Sequence, residues 1–414
     1  MKTALVIGGG VAGLAAAREL VRNGVRVTVL EAKQRFGGRI HTVHHGSTPI
    51  ELGAEFIHGR NKSLLQAIAD AGLKTSRASD KNQLFDAGKL RSVKFWDKVE
   101  KIIGGIDVHS TDLSYGDFLA GEKLAARDTR IAKGFVEGFH AAHLNRISSH
   151  SLLRGDYSFA RMHGEWTGRV KDGYGPFVNF LAREIEAGGG VLRLGAPVRQ
   201  VLWEPGRVEV GTTRGIHEAE VAVFTLPLGV WKANAVKVEP PLTDKMEAIR
   251  ELEFANVVKV VFAFREKWWP QSTCGFVHAF DEPLPTWWDD PRGPVLIGWA
   301  GGPKADALRK ATPAQLEKLG LQILSKIFST PVSILRAQLA ACYCHNWAVD
   351  PEIRGAYSYI PVNGLDLPKL LAAPVQETLF FAGEATVVDA QTGTVFGALE
   401  TGVRAAREIL EIIH

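Results

Sequence analysis

A chain of 414 residues is long enough for two domains, each with its own core. Hydrophobic residues make up 46% and charged residues 23%, as in ordinary folded proteins; the formal net charge of +4 is not gathered into a basic tract, so nucleic-acid binding has no compositional support. Three cysteines, an odd number in a large chain, argue against a disulfide framework and fit a reducing compartment.

The opening residues, "MKTALVIGGG", enter a strand and its turn directly, so no signal peptide is expected. "TALVIGG", "GVAGLAAARELVRNG" and "VRVTVLEA" give an apolar run, helical spacing and a second apolar run, which is a βαβ unit. Residues 62–72 read as a short helix. Between about 76 and 170 glycine and charge are scattered, and only "DTRIAKGFVEGFHAAHL" has helical character. Then "PFVNFLAREIEAGGG" reads as a helix with a glycine stop, and "VLRLGAPVRQVLWEPGRVEVGTT" as consecutive short strands. "AEVAVFTLPLGV" supplies a buried strand ended by proline. A helix over about 243–252, the long strand "NVVKVVFAF" and strands through "GFVHAF" and "VLIGWAGG" follow. Two helices over about 303–328 precede a strand around 334–344; the chain closes with the strand "TLFFAGEAT" and the helix "GTVFGALETGVRAAREIL". Strand–helix units at both ends and in the middle point to a nucleotide-binding domain assembled from separate pieces, with another domain inserted. No run reaches the length of a bilayer span, so no membrane anchor is expected and the location expected is cytoplasmic. Cys342 and Cys344 form a C-x-C pair in "LRAQLAACYCH" with no second pair to complete four ligands, so no metal site is expected.

"GGGVAG" sets Gly8, Gly10 and Gly13 in G-x-G-x-x-G spacing between a strand and a helix. Such glycines allow a tight turn, close approach to a pyrophosphate and close helix–strand packing, while the helix N-terminus offers N–H groups and partial positive charge. Glu31 ends the second strand, where a carboxylate can accept both hydroxyls of a ribose. Together these point to dinucleotide binding. "EAKQRFGGRI" then adds Gly37, Gly38 and Arg39, a second close backbone approach with a charge-assisted donor that a plain nicotinamide domain does not need.

In "NVVKVVFAF", alternation puts Lys259 on one face with Val257, Val261 and Ala263, and Val258, Val260, Phe262 and Phe264 on the other. Both faces read as buried, so the ammonium points into protein or a closed cavity, and burying it unpaired is costly; snorkelling from an edge strand is the alternative. "HNWAVDPEIRGAYSYIP" carries Trp347, Tyr357 and Tyr359 around an Arg-Gly turn, a pattern that also suits plain core packing. His58, closing "IELGAEFIHG", is by itself equally a structural histidine.

"GGGVAG…LEAKQRFGGR", "IELGAEFIHG", "TLPLGVW", "NVVKVVFAF", "DPEIRGAYSY" and "FAGEATVVDAQTGTVFGALETGVRAA" occur in that order. Together they resemble the flavin-containing amine oxidase family: monoamine oxidases, polyamine and spermine oxidases, L-amino-acid oxidases and flavin-type histone lysine demethylases. The resemblance covers most of the chain and thins between about 76 and 170. It implies an α/β fold: a discontinuous Rossmann-like FAD-binding domain of GR2 type, residues 1–75, 172–232 and 375–414, with an inserted α+β substrate-binding domain carrying a mixed sheet, residues 76–171 and 233–374.

What the resemblance implies for FAD is specific. Gly8, Gly10, Val11, Ala12 and Gly13 would form the pyrophosphate turn; Glu31 and Ala32 would meet the adenosine ribose, and Lys33, Gly38 and Arg39 would lie near the phosphates. Val198, in "APVRQV", would meet the adenine through its backbone. Gly53, Ala54, Glu55 and Phe56 would pass beside the ribityl-flavin end, Gly383 and Glu384 near the ribityl and phosphates, and Thr394 and Val395 against the isoalloxazine. Ala356 stands where covalent monoamine oxidases carry a cysteine, which implies non-covalent FAD.

The catalytic positions implied are Lys259, beside flavin N5 through a bound water; His58, facing the substrate amine as in polyamine and spermine oxidases; and Trp347 and Tyr357, walling the cavity before the flavin. Thr394 stands where monoamine oxidases place a second cage tyrosine, leaving a half-open cage. The activity implied is oxidation of a C–N bond in a primary or secondary amine, polyamines included, to an imine that hydrolyses to an aldehyde, with O2 reduced to H2O2. An L-amino-acid oxidase, which needs a cavity arginine, a desaturase or isomerase of the same fold, and a non-catalytic FAD scaffold are the alternatives. Histone demethylation is disfavoured, since no long helical insertion or chromatin-reading module is read. The partners implied are a small amine and O2, with no nucleic acid and no membrane, in a monomer or homodimer.

Overall fold

The computed structural model describes residues 2–271, 275–389 and 391–413, the last without its side chain. Five parallel strands form one sheet in the order Val191–Arg193, Arg26–Leu30, Thr3–Ile7, Val221–Phe224, Leu379–Phe381. The inner strands are near-continuous apolar runs because both faces of a parallel sheet are covered. Helix Val11–Arg22 packs on one face through Leu14, Ala15, Ala17 and Leu20, and helix Val395–Ile413 shares that core through Phe396, Leu399, Ala405 and Ile409.

The second large sheet has seven strands in the order Leu339–Asn346, Val257–Phe264, Val295–Gly301, Thr286–Asp290, Phe276–His278, Asn82–Asp86, Lys89–Ser92. It is mixed: Phe276–His278 runs parallel to Asn82–Asp86, and the other neighbours are antiparallel. Every residue of Val257–Phe264 is buried. Val258, Val260, Phe262 and Phe264 pack with Leu316, Leu321 and Leu324 of helix Pro313–Phe328, while Val261 and Ala263 pack with Ile50, Leu52 and Trp288 on the other side. A three-stranded sheet, Phe56–His58, Thr167–Val170, Thr75–Arg77, sits between the two. The fold is mixed α/β with mixed sheets, as the motifs imply.

Two segments differ from expectation. Residues 334–338 belong to helix Val332–Gln338, which opens after Pro331, and the strand starts only at Leu339. A proline at a helix start is favourable because its missing N–H would have no partner there. The stretch 76–170, which has no clear period, holds strands Asn82–Asp86 and Lys89–Ser92 and helices Phe95–Ile103, Tyr115–Gly121, Ala126–Gly138 and Ser149–Ala160. Its hairpin turns on Ala87 and Gly88, both at positive φ (47° and 73°), and an alanine there hides a turn usually announced by Asn or Asp. Among the described residues, no helix is long and apolar enough to cross a membrane.

Candidate active site

Ile7, Leu30, Thr225 and Gly383, at or just beyond the carboxyl ends of four parallel strands, open onto one cavity of about 1560 Å3. Ligands of open parallel sheets bind at those ends, and this volume exceeds the ~300–1,000 Å3 of an ordinary small-molecule pocket. The cavity continues to Lys259, Trp288 and Trp299 of the seven-stranded sheet.

At the sheet end, Gly8 has φ +111°, and Gly10, with no side-chain cap, leads into helix Val11–Arg22. Gly8, Gly10, Val11 and Ala12 line the cavity, so the start of the helix, with its amide N–H groups, faces it. Gly13 does not line it. A Cβ there would stand 1.9 Å from the Gly8 carbonyl oxygen, so Gly13 belongs to helix–strand packing under the turn and not to the wall. The second glycine turn lies on the first: Gly37 N–H donates to the Gly9 carbonyl (2.8 Å), and Gly38 has φ +57°. Arg35, which no motif singles out, stitches that turn by donating to the carbonyls of Phe36, Gly38 and Ile40 at 3.2, 2.9 and 2.7 Å.

The Glu31 carboxylate accepts from Gly9 N–H (2.7 Å) and Lys33 N–H (2.8 Å), and burial outweighs those bonds and raises its pKa. Lys33 and Arg39 line the cavity, each paired with a carboxylate: Lys33 Nζ with Asp350 at 2.7 and 2.5 Å, Arg39 with Glu384 at 2.7 Å. Burial pushes the Asp350 carboxyl up, but hydrogen bonds from His345 and Lys33 outweigh it and hold it well below the usual range. Ala32, Gly38, Gly53, Ala54, Phe56, Val198, Gly383 and Val395 all lie on the cavity wall. The positive-φ glycine turn, the uncapped helix start and the carboxylate ending the second strand fit the diphosphate and ribose of a dinucleotide.

At the far end, Trp347 is fixed by donating from Nε1 to the Leu52 carbonyl (2.9 Å), and the Tyr357 hydroxyl donates to the Phe139 carbonyl (2.8 Å). Burial, then the nearby Glu384 carboxylate, pushes the Tyr357 phenol above its ordinary pKa, so it remains a donor. Gly393, at φ +76°, lies under that ring; a Cβ would stand 2.9 Å from Tyr357 Cδ2. Thr394 accepts from Gly397 N–H (3.1 Å) and donates to the Gln391 carbonyl (2.9 Å), so its hydroxyl caps helix Val395–Ile413 while its side chain meets the cavity. Glu384 accepts from Gly393 N–H (2.8 Å) and Ser358 Oγ (2.7 Å) as well as from Arg39, and so ties the two aromatic-bearing loops together. Tyr359 packs in the core and is not on the wall.

Lys259 is 1% exposed and points into the cavity wall, as its strand position implies. It is not unpaired: Nζ donates to Glu55 Oε2 at 2.7 Å and to the Gly53 carbonyl at 3.3 Å. Glu55 also accepts from Arg169 Nε (2.8 Å) and Trp288 Nε1 (3.0 Å) on its other oxygen. Burial pushes the Glu55 carboxyl up, but Lys259 and Arg169 outweigh it and hold it well below the usual range. Arg169 and Trp288 carry no motif. They sit 114 and 233 residues from Glu55, too far along the chain for spacing to reveal.

His58 faces the cavity among Phe56, Phe139 and Phe159, and burial lowers its pKa to about 4. His140 lies beside it, also lowered to about 4 by burial and by His58, so both imidazoles are neutral at pH 7. Among the described residues no cysteine lines the cavity and no cluster of three metal-ligating side chains forms.

The family model of flavin containing amine oxidoreductases matches residues 11–103 and 106–410. Polyamine oxidase 3 of Oryza sativa subsp. japonica is 32% identical, over 98% of this chain and 88% of that protein. Lysine-specific histone demethylase 1B of Mus musculus is 28% identical over 99% of this chain, which spans 53% of that protein's length. The solved structure of putrescine oxidase bound to putrescine superposes with a TM-score of 0.85 at 19% identity, covering 99% of both chains. Cyclohexylamine oxidase from Brevibacterium oxydans IH-35A gives 0.83 at 20% identity, over 100% of this chain and 99% of that one. With the match running through both sheets and the cavity between them, this chain belongs to the family of flavin-containing amine oxidoreductases, and it is a flavin-dependent oxidoreductase with FAD as its cofactor.

Proposed function

We propose that this protein oxidises a small primary or secondary amine, with polyamines the favoured class, to an imine that hydrolyses to an aldehyde, and that O2 is reduced to H2O2. Bound FAD supplies the acceptor for the hydride equivalents. The observation that carries the reading is the far end of the cavity, where Lys259, Trp347, Tyr357 and the neutral His58 converge on one space. An amine must be neutral at nitrogen to lose hydride from its α-carbon, and an aromatic, desolvated wall with an uncharged imidazole favours that form over the ammonium. The aromatic faces also attract the cation on its way in. Trp347 and Tyr357, fixed by hydrogen bonds to backbone carbonyls, orient the amine.

Three further features support parts of the reading. Three arginines among the described residues line the cavity: Arg39 is paired with Glu384, Arg77 with Asp80, and Arg199 lies beside Val198, which leaves no arginine at the aromatic wall to hold an amino-acid carboxylate. With Ala356 on the wall and no described cysteine there, we propose non-covalent FAD. Residues 1–75, 172–232 and 375–414 are proposed as the FAD-binding domain and 76–171 and 233–374 as the substrate-binding domain. The polyamine preference rests on the 88% coverage of the rice polyamine oxidase and on Thr394 opening one side of the cage.

Anaerobic mixing with polyamines, monoamines and L-amino acids tests this. Polyamines are expected to bleach the oxidised flavin spectrum fastest, and in air to give one H2O2 per aldehyde. Bleaching by none of the amines would overturn the reading. Acid precipitation that left FAD on the protein would overturn the non-covalent assignment.

A further inference from the structure

We infer that Glu55 and Arg169 are positioning residues that set the orientation of Lys259, so that Arg169, which does not reach the cavity, acts on the reacting space through two other side chains. The inference rests on the proposed role of Lys259. A lysine side chain has a long, freely rotating stem, and its strand neighbours Val258 and Val260 give its ammonium nothing to bond. What fixes it is Glu55 Oε2 at 2.7 Å, with the Gly53 carbonyl at 3.3 Å and the Trp288 ring centroid at 5.7 Å. These take two of the three N–H bonds of an ammonium and aim the third at the cavity that Lys259 lines.

Glu55 can do this because its own rotation is fixed. Oε1 accepts from Arg169 Nε at 2.8 Å and Trp288 Nε1 at 3.0 Å, which leaves Oε2 to Lys259 alone. Arg169 in turn is held from two sides. It stands opposite Phe56 in the strand register, and its guanidinium lies 4.4 Å over the Phe56 ring. Arg169, Glu55 and Lys259 are 3%, 6% and 1% exposed, so the chain of contacts is closed to bulk water. Such an outer layer of contacts keeps a reacting group in one geometry. Three formal charges give this cluster a net positive charge against the cavity wall, and removing Arg169 leaves a neutral pair.

The test compares Lys259→Met, Glu55→Gln, Arg169→Met and the double variants on Lys259→Met, all with FAD bound. Glu55→Gln and Arg169→Met are expected to slow flavin reduction at saturating amine by about tenfold or more, with amine affinity changed less than about threefold. On the Lys259→Met background each should add less than about twofold, because groups acting through one residue are not additive. Arg169→Met is also expected to lower the reduction potential of bound FAD, since a buried positive charge is gone. If Arg169→Met does not fold, Trp288→Phe, which removes only one donor to Glu55, should slow reduction by a smaller factor with the same non-additivity. Additive losses, or an unshifted potential in Arg169→Met, would overturn the inference and leave the role of Lys259 standing. A silent Lys259→Met would overturn that role and the inference with it.

Discussion

The Thr394 hydroxyl is committed to the backbone of its own helix, although the side chain also meets the cavity. Removing it as Thr394→Ala is expected to cost about 1 kcal/mol through the lost cap, with Thr394→Ser retaining most of it; thermal unfolding of the two variants measures the difference. At this scale legibility depended on contrast. Lys259 stood out as one cation in an apolar run, and Trp347, Tyr357 and His58 through the ordered motifs around them. Arg169, Arg35 and Asp350 look like ordinary charged residues in sequence, and what makes them part of the site is a partner brought close by the fold. The Lys259–Glu55 bond spans 204 residues, and no pattern in the chain announces it.

The glycine turn and helix Val11–Arg22 act as one device, with Gly13 beneath and Gly8, Gly10, Val11 and Ala12 facing the ligand. Gly13→Ala would drive a methyl to 1.9 Å from the Gly8 oxygen, so the helix must move off the strand and the turn must open. The expected result is protein purified with FAD below half stoichiometry and weakened by about tenfold or more in rebinding, given that each ~1.4 kcal/mol of lost fit is tenfold; flavin absorbance against protein concentration checks it. This device was legible because its chemistry is local. The hairpin Asn82–Ser92 and the helices up to Ala160 were not, because they are short, and their apolar residues answer to clusters that other segments complete.

Across the molecule, several histidines are buried uncharged. Burial lowers His58 and His140 to about 4 and His278 to about 3, against an unfolded value near 6.5. Groups with a depressed histidine pKa bind protons more readily when unfolded, so their stabilisation is complete above about 6.5 and is lost as pH falls toward 4. Glu31 and Glu51, raised by burial, act in the opposite sense near the carboxylate range. With three histidines titrating first on acidification, the thermal midpoint is expected to be lower at pH 5 than at pH 7. A midpoint that rises toward pH 5 would show the two carboxylates to dominate.

The parallel sheet has a consequence for how the protein is made. Strand Thr3–Ile7 pairs with Val221–Phe224, which pairs with Leu379–Phe381, so the nascent chain cannot complete this layer while the ribosome still holds its last forty residues. Contacts this distant in sequence close slowly and leave apolar edges waiting. The glycine turn forms early, but the wall it faces is finished only by Glu384 and Thr394, so flavin loading is an event after synthesis rather than during it.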